Sequence, residues 1–274
     1  MAGTPLIKCV YLLWDCEPRS AQRRRLTLLQ ECVPQLLGLP LEGLAINIDD
    51  EYATVKSPAP KWYAGPEICA MASIWVGDIA ISDQAATILR GANFTVACYQ
   101  VDESIYRDYG DNRHSGPRHW ADGQRSPGVL AVTLLTRPRR FSQEKWLRRW
   151  HGRMSPISEE IQPRQRYVRN VVKRRLTADA LPFDGIVEEA WPSPEHIADP
   201  YLFYCAKNRW QLVKHVLMML SAILGFHNIL KFRTTTMSEY FIKSGAVIKD
   251  APSGQAPSRG SPQMAKNIER GWNQ

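Results

Sequence analysis

The chain has 274 residues, 44% hydrophobic and 23% charged, the balance of a folded globular protein and not of a disordered or low-complexity chain. Its formal charge is +8, with basic clusters at Arg23-Arg24-Arg25, Arg137 to Arg140, Arg148-Arg149 and Lys173-Arg174-Arg175. Such clusters either coat solvated helix faces or attract an anionic partner. Six cysteines, at 9, 16, 32, 69, 98 and 205, form no CxxC pair, so neither a structural zinc site nor a disulfide framework is expected.

The opening "MAGTPLIKCVYLLW" has no charged region ahead of its apolar run and reads as a strand, not as a signal peptide. The helix "SAQRRRLTLLQECVPQLLGL" follows, with Ser20 as N-cap and a stop near Gly38. "GLAINID" and "ICAMASIWVG" are strands, "DIAISDQAATILRGA" is a helix, and "NFTVACYQV" is a fourth strand. A polar stretch from Tyr109 to Gly128 lacks periodicity and reads as a linker.

The same order then repeats. "GVLAVTLLTR" is a strand, and "FSQEKWLRRWHGRMSPISEEI" is a helix with Ser142 near its start. "RYVRNVVKRRL" and "DGIVEEAW" are strands. "YLFYCAKNRWQLVKHVLMMLSAILG" is one long helix stopped by Gly225, and "HNILKFRTTTM" closes the set. The longest apolar run, Val213 to Phe226, is broken by His215 and Ser221 and is too short for a membrane span. From Gly245 the Gly/Pro/Ser composition is that of a flexible tail.

Two βαββαβ units each give a four-stranded antiparallel sheet with both helices on one face. The expected fold is α+β, with tandem ferredoxin-like units at residues 1–112 and 128–247, a linker at 113–127 and a tail at 248–274. The two bare sheet faces would bury each other and enclose a barrel-like cavity.

"RFSQEKWLRRWHG", "RYVRNVV" and "FDGIVEEAW" together resemble the EthD family of the dimeric α/β-barrel superfamily. The family's marks are a histidine-bearing helix, a Tyr-Val-x-Asn strand and an Asp-Gly-x-x-Glu strand. The resemblance covers roughly Val129 to Pro192. It implies a ferredoxin-like fold whose sheets pair into a barrel, here within one chain. Two departures stand out: "RMS" precedes Pro156 where the family has proline soon after the histidine, and the last helix is longer.

His151 falls on the apolar face of its helix, among Trp146, Leu147, Trp150 and Met154, where an imidazole can exchange a proton near pH 7. Glu188 alternates with Ile186 and Ala190, so its pKa is expected to be raised, suiting it to acid–base work or to orienting His151. Tyr167 and Asn170 lie three apart on one strand and face opposite sides; Tyr167 is the candidate oxyanion donor. Asp184-Gly185 reads as a structural turn.

The function expected is a cofactor-independent, lyase- or cyclase-type enzyme acting on a small hydrophobic molecule, aromatic or lactone-like. His151, Glu188 and Tyr167 would be catalytic, and Trp146, Trp150, Asn170 and Trp191 would bind substrate. No metal site is expected. A haem bound through a helical histidine, His215 or His227, is the alternative. Nucleic-acid binding ranks last, because "GIVEEAW" puts carboxylates where RNA-binding sheets carry aromatics. A cytoplasmic protein without a membrane partner is expected, and a homodimer is left open.

Overall fold

The computed structural model describes residues 6–57, 59, 65–228 and 231–245. The expected tail at 248–274 lies outside the described residues.

Eight strands are present: β1 Ile7–Asp15, β2 Leu41–Ile48, β3 Ala70–Val76, β4 Phe94–Arg107, β5 Val129–Leu135, β6 Arg166–Arg175, β7 Gly185–Trp191 and β8 Arg233–Lys243. They close into an antiparallel barrel in the order β1-β3-β2-β8-β5-β7-β6-β4. The first four strands lie in the order β4-β1-β3-β2, and the last four, taken the same way, in the order β8-β5-β7-β6. Two seams join the halves: β2 on β8, with Ile46 opposite Tyr240, and β4 on β6, with Asp102 opposite Val171.

Helix α1, residues 21–37, follows β1, and α2, Ile81–Gly91, follows β3. In the second half α3, residues 143–161, follows β5. After β7 come α4, Glu195–Ala198, α5, Pro200–Phe203, and α6, Arg209–Phe226. Ser20 and Ser142 cap α1 and α3 as the sequence implies, each accepting from the backbone N–H three residues on. Both helices widen to π-type turns midway, at Thr27–Cys32 and Trp150–Met154.

Side-chain alternation along each strand sends one set inward and the other toward the helices. Cys9, Tyr11 and Leu13 of β1 pack with Leu28, Leu36 and Leu89 of the helices. Val10 and Leu12 pack inside the barrel with Met71, Val132, Ile186 and Met237. The interior is therefore filled, and the large cavity expected between the two sheet faces is absent there. Eight strands enclose a space that side chains alone can occupy.

Three expectations are corrected in detail. The long helix beginning at Tyr201 is broken: α5 ends at Phe203, Cys205 takes φ 46°, and Asn208 caps α6 by accepting from the Gln211 N–H. Strand β4 runs on to Arg107, beyond the expected Val101. Strand β8 runs from Arg233 to Lys243, six residues later than the expected 227–237. The polar stretch after β4 is tied down by side chains. The Tyr109 hydroxyl donates to Glu239 at 2.8 Å, Asn112 donates to the Arg164 carbonyl, and the Trp120 indole donates to Ser126.

Candidate functional site

The two carboxylates of "VEEAW" part company at β7. Glu188 points into the barrel beside Ile186 and Ala190, and Glu189 points to the helix side with Val187 and Trp191.

Inside, Glu188 accepts from Lys8 Nζ at 3.0 Å and from Asn170 Nδ2 at 2.9 Å, with Arg166 at 3.8 Å. Lys8 also binds Glu103 at 2.7 Å, and Arg166 binds Glu239 and Asp108 at 3.2 Å each. Burial alone would raise the Glu188 pKa, but Lys8 and Arg166 outweigh it and hold the group at about 2. That corrects the expectation of a raised value: a carboxylate flanked by apolar neighbours in sequence has two cations beside it in space. Burial raises the Glu239 carboxyl above its usual range despite Arg166. Asn170 belongs to this network and not to an open site.

His151 stands on the other side of the sheet, in the π-type turn of α3. Its ring meets Trp150 edge-on at 4.8 Å, and its Nε2 is enclosed without a hydrogen-bond partner among the described residues. Burial, with a smaller push from Arg169, lowers its pKa to about 4. A titration at pH 6 to 7 is therefore not expected of it. Tyr167 is on the helix side too, as alternation requires. Its hydroxyl accepts from the Trp150 indole at 3.1 Å, and Arg164 lies 3.9 Å over its ring. Trp146 and Trp150 are 1% exposed and pack on the start of β7, where a Cβ on Gly185 would stand 2.9 Å from the Trp150 ring. They are core. Asp184 is structural as read, accepting from the Arg137 backbone N–H. The structure therefore brings Tyr167 to the Trp150 indole beside His151, but leaves Glu188 and Asn170 on the opposite face.

A cavity of about 330 Å³ lies outside the barrel, between the helices and the sheet of the second half. Its floor is Ala131 and Thr133 of β5, Glu189 and Trp191 of β7, and Thr234 and Thr236 of β8; Met219, Leu220 and Ile223 of α6 form the roof. Met154 and Gln162 close one side, and Phe203 and Tyr204 another. Of the expected binding residues, Trp191 is here, stacked on Phe203 at 4.5 Å, with an indole N–H that finds no acceptor among the described residues.

Glu189 is the one carboxylate in the described walls. Arg164, 1% exposed, donates to it at 2.6 Å and to Ser158 at 2.7 Å. The Thr133 and Thr234 hydroxyls pair at 2.9 Å, and Thr236 donates to the Val55 carbonyl. The arrangement is a largely apolar chamber with a fixed charge on one wall, as small-molecule sites are built. The sequence signal for Glu189 was its alternation with Trp191, but strand period does not say which face of a sheet will form the inside of a barrel.

The described walls do not fit a haem. They offer no imidazole and no cysteine thiol. His215 Nδ1 sits 2.6 Å from the Tyr204 carbonyl, and His227 packs between Phe226 and Phe232. Among the described residues no cluster of His, Cys, Asp and Glu is arranged to hold a metal ion, and no helix is long and apolar enough to cross a membrane.

No protein-family model and no curated protein matches the chain. Solved structures do. An anthrone oxidase-like protein superposes with a TM-score of 0.50 at 12% identity, over 88% of this chain and 99% of that one. A putative monooxygenase from Fusobacterium nucleatum gives 0.42 at 9% identity, over 89% and 94%. A chlorite dismutase from Candidatus Nitrospira defluvii gives 0.40 at 8%, over 85% and 90%. The likeness is one of fold.

Proposed function

We propose that this chain is an enzyme that takes a small, mainly apolar, ring-bearing molecule into the cavity beneath α6 and moves a proton on it through Glu189. The observation that carries the reading is the pairing of Glu189 with Arg164 at 2.6 Å in the wall of a chamber of about 330 Å³. A carboxylate held by a buried guanidinium is aimed at a fixed point in the chamber, and so suits the part of general base. Trp191 on Phe203 supplies a flat apolar surface. The chemistry within reach is proton transfer by side chains alone: enolisation, dehydration, cyclisation or decarboxylation of an aromatic or lactone-like compound. The role expected for His151 passes to Glu189, because His151 does not line the chamber.

The same reading takes residues 1–112 and 128–247 as two ferredoxin-like units, joined through 113–127, that close a dimeric α/β barrel within one chain. It is supported by the matching strand order of the halves and by the π-type turn that each carries in its first helix. Kinship of the second unit with EthD proteins rests on the three sequence motifs.

The test is a thermal-shift screen of phenols, aromatic ketones and lactones, followed by turnover of the compounds that bind. Glu189→Gln should lower turnover by about 10²- to 10⁴-fold, the usual range for an acid–base group, with binding nearly kept and a lower melting temperature, because the buried Arg164 guanidinium loses its close carboxylate. Full activity in Glu189→Gln would remove the reading.

A further inference from the structure

Helix α6 is apolar on both faces. Met219, Ala222 and Phe226 are buried against the body, while Trp210, Val213, Leu217, Leu220 and Leu224 are 85%, 45%, 61%, 38% and 53% exposed. A helix apolar all round is normally buried, so the outer stripe needs a cover. Its spacing is three, four, three, four, the a/d seam by which one helix packs along another.

The geometry points to a second copy of this chain as the cover, with the two α6 helices antiparallel about a two-fold axis at Leu217. Residues 210 and 224 lie seven to either side of 217 and exchange on reversal, while 213 and 220, four and three away, meet one residue out of register. Charge selects the same direction. Lys214 is the only charged residue inside α6 after Arg209; a parallel pair would set it against its own copy, and an antiparallel pair sets it opposite Leu220 of the partner subunit. At the far end, Arg149 and Arg140 donate to the Gly225 and Leu224 carbonyls. Reversal lays the Trp210 ring over that cationic end of the partner, a favourable cation–π arrangement.

The area is sufficient. With full side-chain areas of about 150–250 Å², the stripe and the neighbouring Tyr201 and Leu202, 42% and 41% exposed, present on the order of 500–700 Å² per chain. Two such patches reach the roughly 1,000 Å² that a specific interface needs. Pairing would also cover Leu220, which is part of the cavity roof, so the chamber is fully enclosed only in the dimer.

Sedimentation of the full chain at micromolar concentration should give twice the 31.2 kDa chain mass, and Leu217→Glu should weaken association by about 100-fold or more. Folding should be unchanged, because Leu217 faces solvent in the single chain. Orientation is read by cross-linking in a Cys16→Ser background, since Cys16 is an exposed thiol. Leu217→Cys should oxidise to a linked dimer. Trp210→Cys and Leu224→Cys should link only when mixed. A chain that stays monomeric, a dimer indifferent to Leu217→Glu, or a monomer that instead binds phosphatidylserine vesicles through this stripe would each overturn the proposal.

Discussion

The two halves of the barrel share a strand order but differ in what lies between sheet and helices. In the first half the outward faces carry Tyr11, Leu13, Leu44, Ile46, Ile74 and Val76, and they meet Leu28, Leu36, Ala85 and Leu89 in a closed apolar layer. In the second, the matching layer has Ala131, Thr133, Thr234 and Thr236 on the sheet, and there the wall recedes into a chamber. The scaffold tolerates this because the shared interior and the two seams hold the barrel shut whatever each outer layer does. One half can be packed for stability while the other keeps room for a ligand.

That contrast can be broken by measurement. Leu36→Ala, in the closed layer, should cost about 3–4 kcal/mol by the usual price of a buried leucine cavity, read by urea unfolding. A loss below about 1 kcal/mol would mean the first layer is looser than its burial implies.

Acid should act on the second half first. Burial brings the His227 pKa from 6.5 to about 4. Between those values the unfolded chain binds a proton that the native chain refuses, so stability is full above pH 6.5 and falls as the pH drops to 4. The loss from His227 is about 3 kcal/mol across that window, with a smaller share from the more exposed His151. Below about pH 4.5 the Glu188 network adds its own loss, because its carboxylate is held down to about 2 and must take up a proton. His227→Phe should reduce the upper loss to the His151 share and leave the lower one. An unchanged profile would show that His227 is not the group titrating.

Gly185→Ala should cost about 1–3 kcal/mol by overpacking against the Trp150 ring, which calorimetry would resolve. The smallest effect is the most diagnostic. Ala85→Val in the closed layer should cost about 1–3 kcal/mol, whereas Ala131→Val should stay within about 1 kcal/mol because it grows into open space. The same Ala131→Val should weaken ligand binding. If both substitutions cost alike, the chamber is not a real difference between the halves.

Most of the scaffold was legible because it follows from period and punctuation: the order of the strands, though β8 lies six residues later than expected, the caps at Ser20 and Ser142, and the opposite facing of Tyr167 and Asn170. What escaped depended on contacts distant in sequence. Lys8 reaches Glu188 across the barrel, and no local pattern marks that meeting, so Glu188 looked like a carboxylate among apolar neighbours. The position of the cavity escaped for a related reason. Alternation assigns residues to two faces, but which face is the filled inside and which the receding wall depends on how the sheet closes.

The closure has a consequence for how the molecule is made. Strand β8 lies between β2 and β5, so it supplies two of the eight joints, yet it leaves the ribosome after all the other strands. Until Arg233 to Lys243 arrive, β2 and β5 stand as open edges with unpaired backbone groups, the kind that recruit foreign strands. The first half waits through nearly two hundred residues of synthesis for its partner. Closure at such sequence separation is slow, and a chain cut short before residue 233 would expose two sticky edges at once.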